Sequence, residues 1–292
     1  MQVTAVTFDS SEGWSRHTKP SAWPADPANG YAYGPGSAAF KRGAQLASAQ
    51  NSVFRRSAMT ALTAPSLISL DHLVVSARTL DEGVQYVADT LGVAPAGGGA
   101  HPLMRTHNRL LGLWGGVYLE VIAIDPRAVA NATDGTEPRP RLFALDDPAT
   151  QARLENGPYL SHWVARVERP KDLATWQAQY PQRIAPVVPM TRGEFTWGLT
   201  VPDDGSFPAW QGAGDGVLPS LIQWDSTRHP SQSLAPTNLA LKALKAVHPR
   251  PEVIGEQLRW LGAAHLLDVQ PTDGAAALVA EFETPEGPRT LG

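Results

Sequence analysis

LDHLVVSARTLDEGVQYVADTLGVAP (residues 70–95) and THNRLLGLWGGVYLEVIAIDP (residues 106–126) decide how this chain folds. LDHLVVSA has the apolar, β-branched character of a buried strand. TLDEGVQYVADTLG follows as a helix, with Thr79 as its N-cap three residues before Glu82 and Gly92 where a C′ glycine belongs. The loop PAGGGAHP leads into two strands joined by the Gly115-Gly116 turn, giving a βαβββ unit. Within these apolar strands sit His72 and Glu120. Alternation along residues 117–124 puts Tyr118, Glu120, Ile122 and Ile124 on one face and Leu119, Val121 and Ala123 on the other. Neither face reads as solvated. A carboxylate there is costly unless it is paired, hydrogen-bonded or bound to a metal.

The unit recurs. YLSHWVARV (residues 159–167) is a strand that carries His162 where the first carries His72. PKDLATWQAQY (residues 170–180) reads as a helix, and residues 184–188, 195–201 and 217–224 supply three strands. The placement suggests that the two His-bearing strands meet around one metal. A third, partial copy follows in NLALKALKAV, PEVIGEQLRWLG, LLDVQPTD and AALVAEFETPEG, with Lys242 in the place of His72. It reads as structural, as do His248 and His265. Residues 127–158 are rich in Pro and charge and read as a surface connection with a short helix near residues 147–155. A repeat of this length, roughly 80–90 residues, is too long for a solenoid and suits duplicated modules whose sheets curl together.

Residues 1–66 differ. They are rich in Ser, Ala, Gly and Pro without a sustained period, and are expected to be disordered or a spurious extension. Met59 is the alternative start, and the acid-free stretch 28–70 has a faint transit-peptide character that Asp9 and Glu12 oppose. The domain reading is therefore extension to 66, paired modules over 67–231, and the partial third module over 232–292.

Composition excludes several classes. A net charge of −4 gives no basic field for nucleic acid or an anionic membrane surface. The absence of cysteine removes disulfides, thiolate metal sites and Cys nucleophiles, and fits a cytoplasmic location. No apolar run approaches the roughly 18 residues of a membrane span.

The two opening segments, with weaker support from PYLSHWVARV and LPSLIQWD, resemble the vicinal oxygen chelate superfamily, specifically its glyoxalase-like domain proteins. The resemblance covers roughly Leu67 to Leu291. It implies an α+β fold in which paired βαβββ modules form a cup-shaped curled mixed sheet with helices outside, plus the partial third βαββ module. It also implies a divalent metal (Zn, Mn, Fe(II), Co or Ni) held by His72 and Glu120 from the first module and by His162 and Gln223 from the second. Gln223 is selected by aligning YLE with LIQ. Two imidazoles, a carboxylate and an amide oxygen suit such ions and could polarise a substrate oxygen.

The implied activity is that of a metal-dependent lyase, isomerase or dioxygenase on a small oxygenated metabolite. The alternative is a binding or sequestration protein that uses the same cup. Glyoxalase I has Glu where this chain has Gln223. Gln can coordinate but cannot abstract a proton, so Glu120, His107 or a bound hydroxide would have to serve as base, and Glu120 is taken as the catalytic candidate. For the substrate, His107, Asn108, Arg109 and Trp224 are candidates, although alternation sends His107 and Asn108 to opposite faces. The competing reading makes each His a hydrogen-bonded core residue and pairs Glu120 with Arg105 or Arg109. The expected assembly is a monomer or homodimer.

Overall fold

The computed structural model describes residues 67–128 and 139–292; the expectations for residues 1–66 lie outside them. The first run is β1 (Ile68–Ser76), α1 (Leu80–Leu91), β2 (Ala96–His101), β3 (Thr106–Gly112) and β4 (Tyr118–Ile124). After α2 (Pro148–Leu154), the second run is β5 (Tyr159–Val167), α3 (Leu173–Gln179), β6 (Val187–Arg192), β7 (Phe195–Thr200) and β8 (Ser220–Trp224). The last run is β9 (Ala240–His248), α4 (Pro251–Leu261), β10 (Asp268–Pro271), β11 (Ala277–Thr284) and β12 (Gly287–Leu291), so β12 adds a strand to the expected βαββ.

Local sequence explains the boundaries. The Thr79 side chain accepts from the Glu82 N–H and starts α1, and left-handed Gly92 ends it. Asp147 and Asp172 cap α2 and α3 in the same way, so α3 begins after Asp172 rather than at Pro170. β2 occupies the run expected to be a loop. Its glycines bring no side-chain packing, and the ladder to β3 supplies what holds it. Gly98 is required there, because its φ is +83° and a Cβ would lie 2.3 Å from the Asn108 carbonyl oxygen.

The large sheet has the order β2-β3-β4-β1-β5-β8-β7-β6. Its second half repeats the first in reverse, as expected of two like modules related by a pseudo-two-fold axis between β1 and β5. Antiparallel register confirms the axis: His72 pairs with Val164 and Val74 with His162. The sheet curls until its ends meet, with Arg192 of β6 donating to His101 of β2 at 3.2 Å and to Asn108 of β3 at 3.0 Å. This is an α+β fold built on a nearly closed, cup-shaped sheet.

Both faces of the central strands are covered, which is why their sequences run almost continuously apolar. Outside the cup, Leu73, Val75, Trp163, Ala165 and Leu221 pack with Val87 of α1, Ile254 and Leu258 of α4, and Leu278, Ala280 and Phe282 of β11. The small sheet has the order β10-β9-β11-β12, unlike either half of the large one. Lys242 is exposed on it.

Inside the cup, Val74, Ile122, Val164, Leu199 and Ile222 form a second core. Leu142, Phe143 and Leu145 belong to it, so part of the expected surface connection is a buried strap across the cup. The LFAL tetrapeptide can make that excursion because burying three large side chains outweighs bringing in its backbone. The Ala144 N–H is satisfied by the Gly205 carbonyl at 2.8 Å.

Candidate functional site

His72 enters the cup from β1 and Glu120 from β4. Parallel register sets Val74 beside Glu120 and His72 beside Tyr118. Both side chains are buried, with 3.4 Å between His72 Nε2 and Glu120 Oε2. The imidazole stacks on Tyr118, their ring centroids 4.5 Å apart. Neither Arg105 nor Arg109 pairs with Glu120: Arg105 donates to the Arg139 carbonyl and Arg109 to the Gly97 carbonyl. Instead Asn108 Nδ2 donates to Glu120 Oε1 at 2.6 Å.

Behind His72 lies Asp71, fully buried, at an irregularity where β1 shifts register against β5 between Leu70 and His72. Such a bulge lets neighbouring residues escape strict alternation and turn toward one another. Asp71 Oδ1 accepts from His72 Nδ1 at 2.7 Å. Its Oδ2 accepts from Trp224 Nε1 at 2.9 Å and His229 Nε2 at 3.1 Å, and Arg166 Nε forms an ion pair with it at 3.1 Å.

These contacts set the charges. Burial alone would depress His72, but hydrogen bonds and attraction from Asp71 and Glu120 outweigh it and raise the imidazole to about 9. Burial would raise Glu120, yet the His72 hydrogen bond and charge bring it down to about 2. Burial opposes ionisation of Asp71 too, and its bonds from His229 and His72 hold it well below the carboxylate range. At neutral pH the site thus carries an imidazolium between two carboxylates.

The cavity in front of this pair is lined by Asn108, Arg192, His101, Trp197 and Trp224 as well as His72 and Glu120. Burial, the largest influence on His101, lowers it to about 4, leaving a neutral ring to accept from Arg192. Of the candidate substrate residues, Asn108 and Trp224 line the cavity. His107 and Arg109 project to the other side of β3, into a surface groove beside Arg78 and Asp125.

The second module is arranged differently. His162 Nδ1 donates to the Gly216 carbonyl at 2.9 Å, while Nε2 accepts from the Ser220 N–H and lies 3.1 Å from Ser220 Oγ. The ring sits between Phe143 and Phe207. Burial is the main reason that it is lowered to about 3, and it is neutral. Gln223 lies on the opposite face of β8 from the cavity-lining Ile222 and Trp224. Its Oε1 accepts from Leu173 N–H at the start of α3, and its Nε2 donates to the carbonyls of Val167 and Lys171.

The register explains the displacement. Val164, the counterpart of Val74, pairs with Ser220, so Ser220 and not Gln223 occupies the place of Glu120. Aligning YLE with LIQ chose the wrong position on β8, and a slip of an odd number of residues reverses every side chain.

Superfamily members often use divalent metals. The four-residue set expected here does not fit one: His162 has both ring nitrogens engaged, Gln223 faces away, and Ser220 brings a hydroxyl in place of a carboxylate. Among the described residues no three His, Asp or Glu side chains converge as ligands.

Asp71, His101, Arg192 and His229 belong to the site without having been singled out in the sequence. Asp71 gave a signal, an acid inside the apolar run LDHLVV. Arg192 and His229 gave none, because only closure of the cup brings them to it.

The fold is that of the vicinal oxygen chelate superfamily. Residues 70–262 match the family model described as the glyoxalase-like domain, and the chain belongs to that family. Among solved structures, a hypothetical protein from Staphylococcus aureus is 15% identical with a TM-score of 0.45, covering 76% of this chain and 84% of its own. Methylmalonyl-CoA epimerase from Mycobacterium tuberculosis is 16% identical with a TM-score of 0.35, covering 59% of this chain and 97% of its own. The Streptomyces coelicolor methylmalonyl-CoA epimerase in complex with 2-nitronate-propionyl-CoA is 12% identical with a TM-score of 0.33, covering 57% and 98%. No curated protein matches the chain. No helix among the described residues is long and apolar enough to cross a membrane.

Proposed function

We propose that the protein is a small-molecule enzyme of the isomerase or lyase type, which moves a proton on carbon next to a carbonyl group. The observation that carries this reading is the His72–Glu120 pair facing the cavity, with Asp71 fixing the imidazole from behind.

In the resting protein the two charges satisfy one another. A substrate carbonyl oxygen entering beside His72 would take the Nε2–H, and the developing enolate would be stabilised by the imidazolium. Glu120 would then lose the hydrogen bond and much of the attraction that keep it acidic. Its proton affinity would rise as substrate binds, which lets a carboxylate that is a poor base at rest accept the proton from carbon. Asn108 holds the other carboxylate oxygen and so aims the base. Asp71 is a positioning residue: it touches His72, not the substrate.

The test uses small 2-oxo and 3-oxo acids in deuterated buffer, following C–H exchange by NMR. The expected result is enzyme-dependent exchange with at least one of them, reduced by about 10²–10⁴-fold in Glu120→Gln. Absence of exchange with every one of these oxo acids, or exchange that survives Glu120→Gln, would overturn the reading. The alternative is a binding protein that uses the same cup. What favours it is that Glu120, lowered to about 2, is the acid of a settled ion pair rather than a base poised near neutrality.

A further inference from the structure

The half-buried Arg192 carries a charge that the protein leaves unmatched. Its Nη1 donates to Asn108 Oδ1 and His101 Nε2, and both acceptors are neutral amide or imidazole atoms. Among the described residues no carboxylate lies within ion-pair distance of it, although Asp71 and Glu120 are both present in the site. Its Nη2 and Nε have no protein acceptor among the described residues. A guanidinium held by one nitrogen at the wall of a cavity, with the rest of its fork free, is a receptor for a planar anion.

A second observation concerns space. The inner cavity, where Arg192, His72 and Glu120 meet, offers only about 30 Å³, room for a small polar head. It shares His101, Met190 and Trp197 with an outer cavity of about 240 Å³. The remaining lining of that outer cavity is Pro102, Leu103, Met104, Pro189 and Thr191, almost all apolar. Leu103 is 53% exposed at its edge, one of few large apolar side chains so placed among the described residues. The inner cavity holds the charged groups beside Leu142, Phe143, Leu199 and Ile222, the outer one is apolar, and the two adjoin at His101, Met190 and Trp197.

We infer that the ligand is a carboxylic acid with an apolar tail: the carboxylate binds the free side of the Arg192 guanidinium in the inner cavity, and the chain lies in the outer one against Met190, Trp197 and Leu103. This inference rests on the proposed function only in naming the molecule that occupies the same site. Single-headed acids without a carbonyl group test it separately, because they can bind but cannot react.

The experiment is calorimetric titration of the full chain with butanoate, hexanoate and octanoate, and with the matching primary alcohols. Affinity should rise by roughly two- to fourfold for each added methylene, the gain expected for partial to full burial of that group. The alcohols should bind about tenfold more weakly or worse, having no charge to offer the guanidinium. Arg192→Met should erase the difference between acid and alcohol. Leu103→Asp, at an exposed position that places no demand on folding, should flatten the dependence on chain length. Equal affinity for acids and alcohols, equal affinity for butanoate and octanoate, or no binding of any acid would overturn the inference. Any of these could occur while proton exchange on a compact oxo acid persists, so the two proposals fail separately.

Discussion

The two halves of the large sheet present the same frame and opposite chemistry. In the first, His72 has a buried carboxylate on each side and faces a cavity. In the second, His162 has a serine in the place of Glu120, a backbone carbonyl at its other nitrogen and two phenylalanine rings around it. One imidazole is raised to about 9 and the other lowered to about 3, although both are buried and occupy related positions. Burial alone therefore does not decide what a buried histidine does. Its charged neighbours do. The first half supplies the charged pair of the site; the second lends wall residues such as Arg192 and Trp197, while its own histidine closes a hydrogen-bond network.

The strongest way to break this comparison is to exchange the carboxylate and the serine for inert partners. Glu120→Gln should reduce proton exchange by about 10²–10⁴-fold. Ser220→Ala should leave it within about twofold, since Ser220 only steadies His162. Similar losses in both variants would mean that the halves act together.

A stability comparison comes next. Asp71 and Ser161 precede the two histidines, but Asp71 collects three hydrogen bonds and an ion pair while Ser161 meets Ser76 Oγ and the Val74 carbonyl. Asp71→Asn, which removes the charge from this buried network, should cost about 3–5 kcal/mol in chemical denaturation. Ser161→Ala should cost about 1 kcal/mol. Gln223→Ala, which strips the start of α3 of its partner, should cost about 1–3 kcal/mol while leaving ligand affinity unchanged.

The pH dependence of stability should divide between the halves, with opposite signs. His72 binds its proton more tightly folded than unfolded. Its contribution is complete below about 6.5 and is lost as pH rises through about 9. His162 binds its proton less tightly folded. Its contribution is complete above about 6.5 and is lost as pH falls toward about 3. Denaturation midpoints across pH should show His72→Gln flattening the alkaline limb and His162→Gln flattening the acid limb. An alkaline limb altered by His162→Gln would contradict the separation.

How much of this was legible in the residues follows a physical line. The β1–α1 unit and β4 could be read because period, caps and turn glycines agreed there. His72 and Glu120 could be read because polar groups inside apolar strands demand partners. What lay beyond was set by register and closure. LIQ looks like YLE as letters, yet the pairing of Val164 with Ser220 turns Gln223 out of the cup. β2 is strand by virtue of its neighbour, not its glycines. Arg192 reaches Asn108 from 84 residues away, and only the curling of the whole sheet makes them adjacent. Asp71 was visible as a letter, but its turn toward His72 depends on an irregularity in the β1–β5 pairing that no alternation rule anticipates.

The central claim is that of the two related histidines only His72 works in the site, and imidazole nitrogen NMR of the labelled protein tests it most directly. At neutral pH the account predicts His72 with both ring nitrogens protonated and His162 as a neutral ring protonated at Nδ1. On adding octanoate, the His72 resonances should move and those of His162 should stay. A neutral His72, or a His162 that moves with the ligand as far as His72 does, would contradict it.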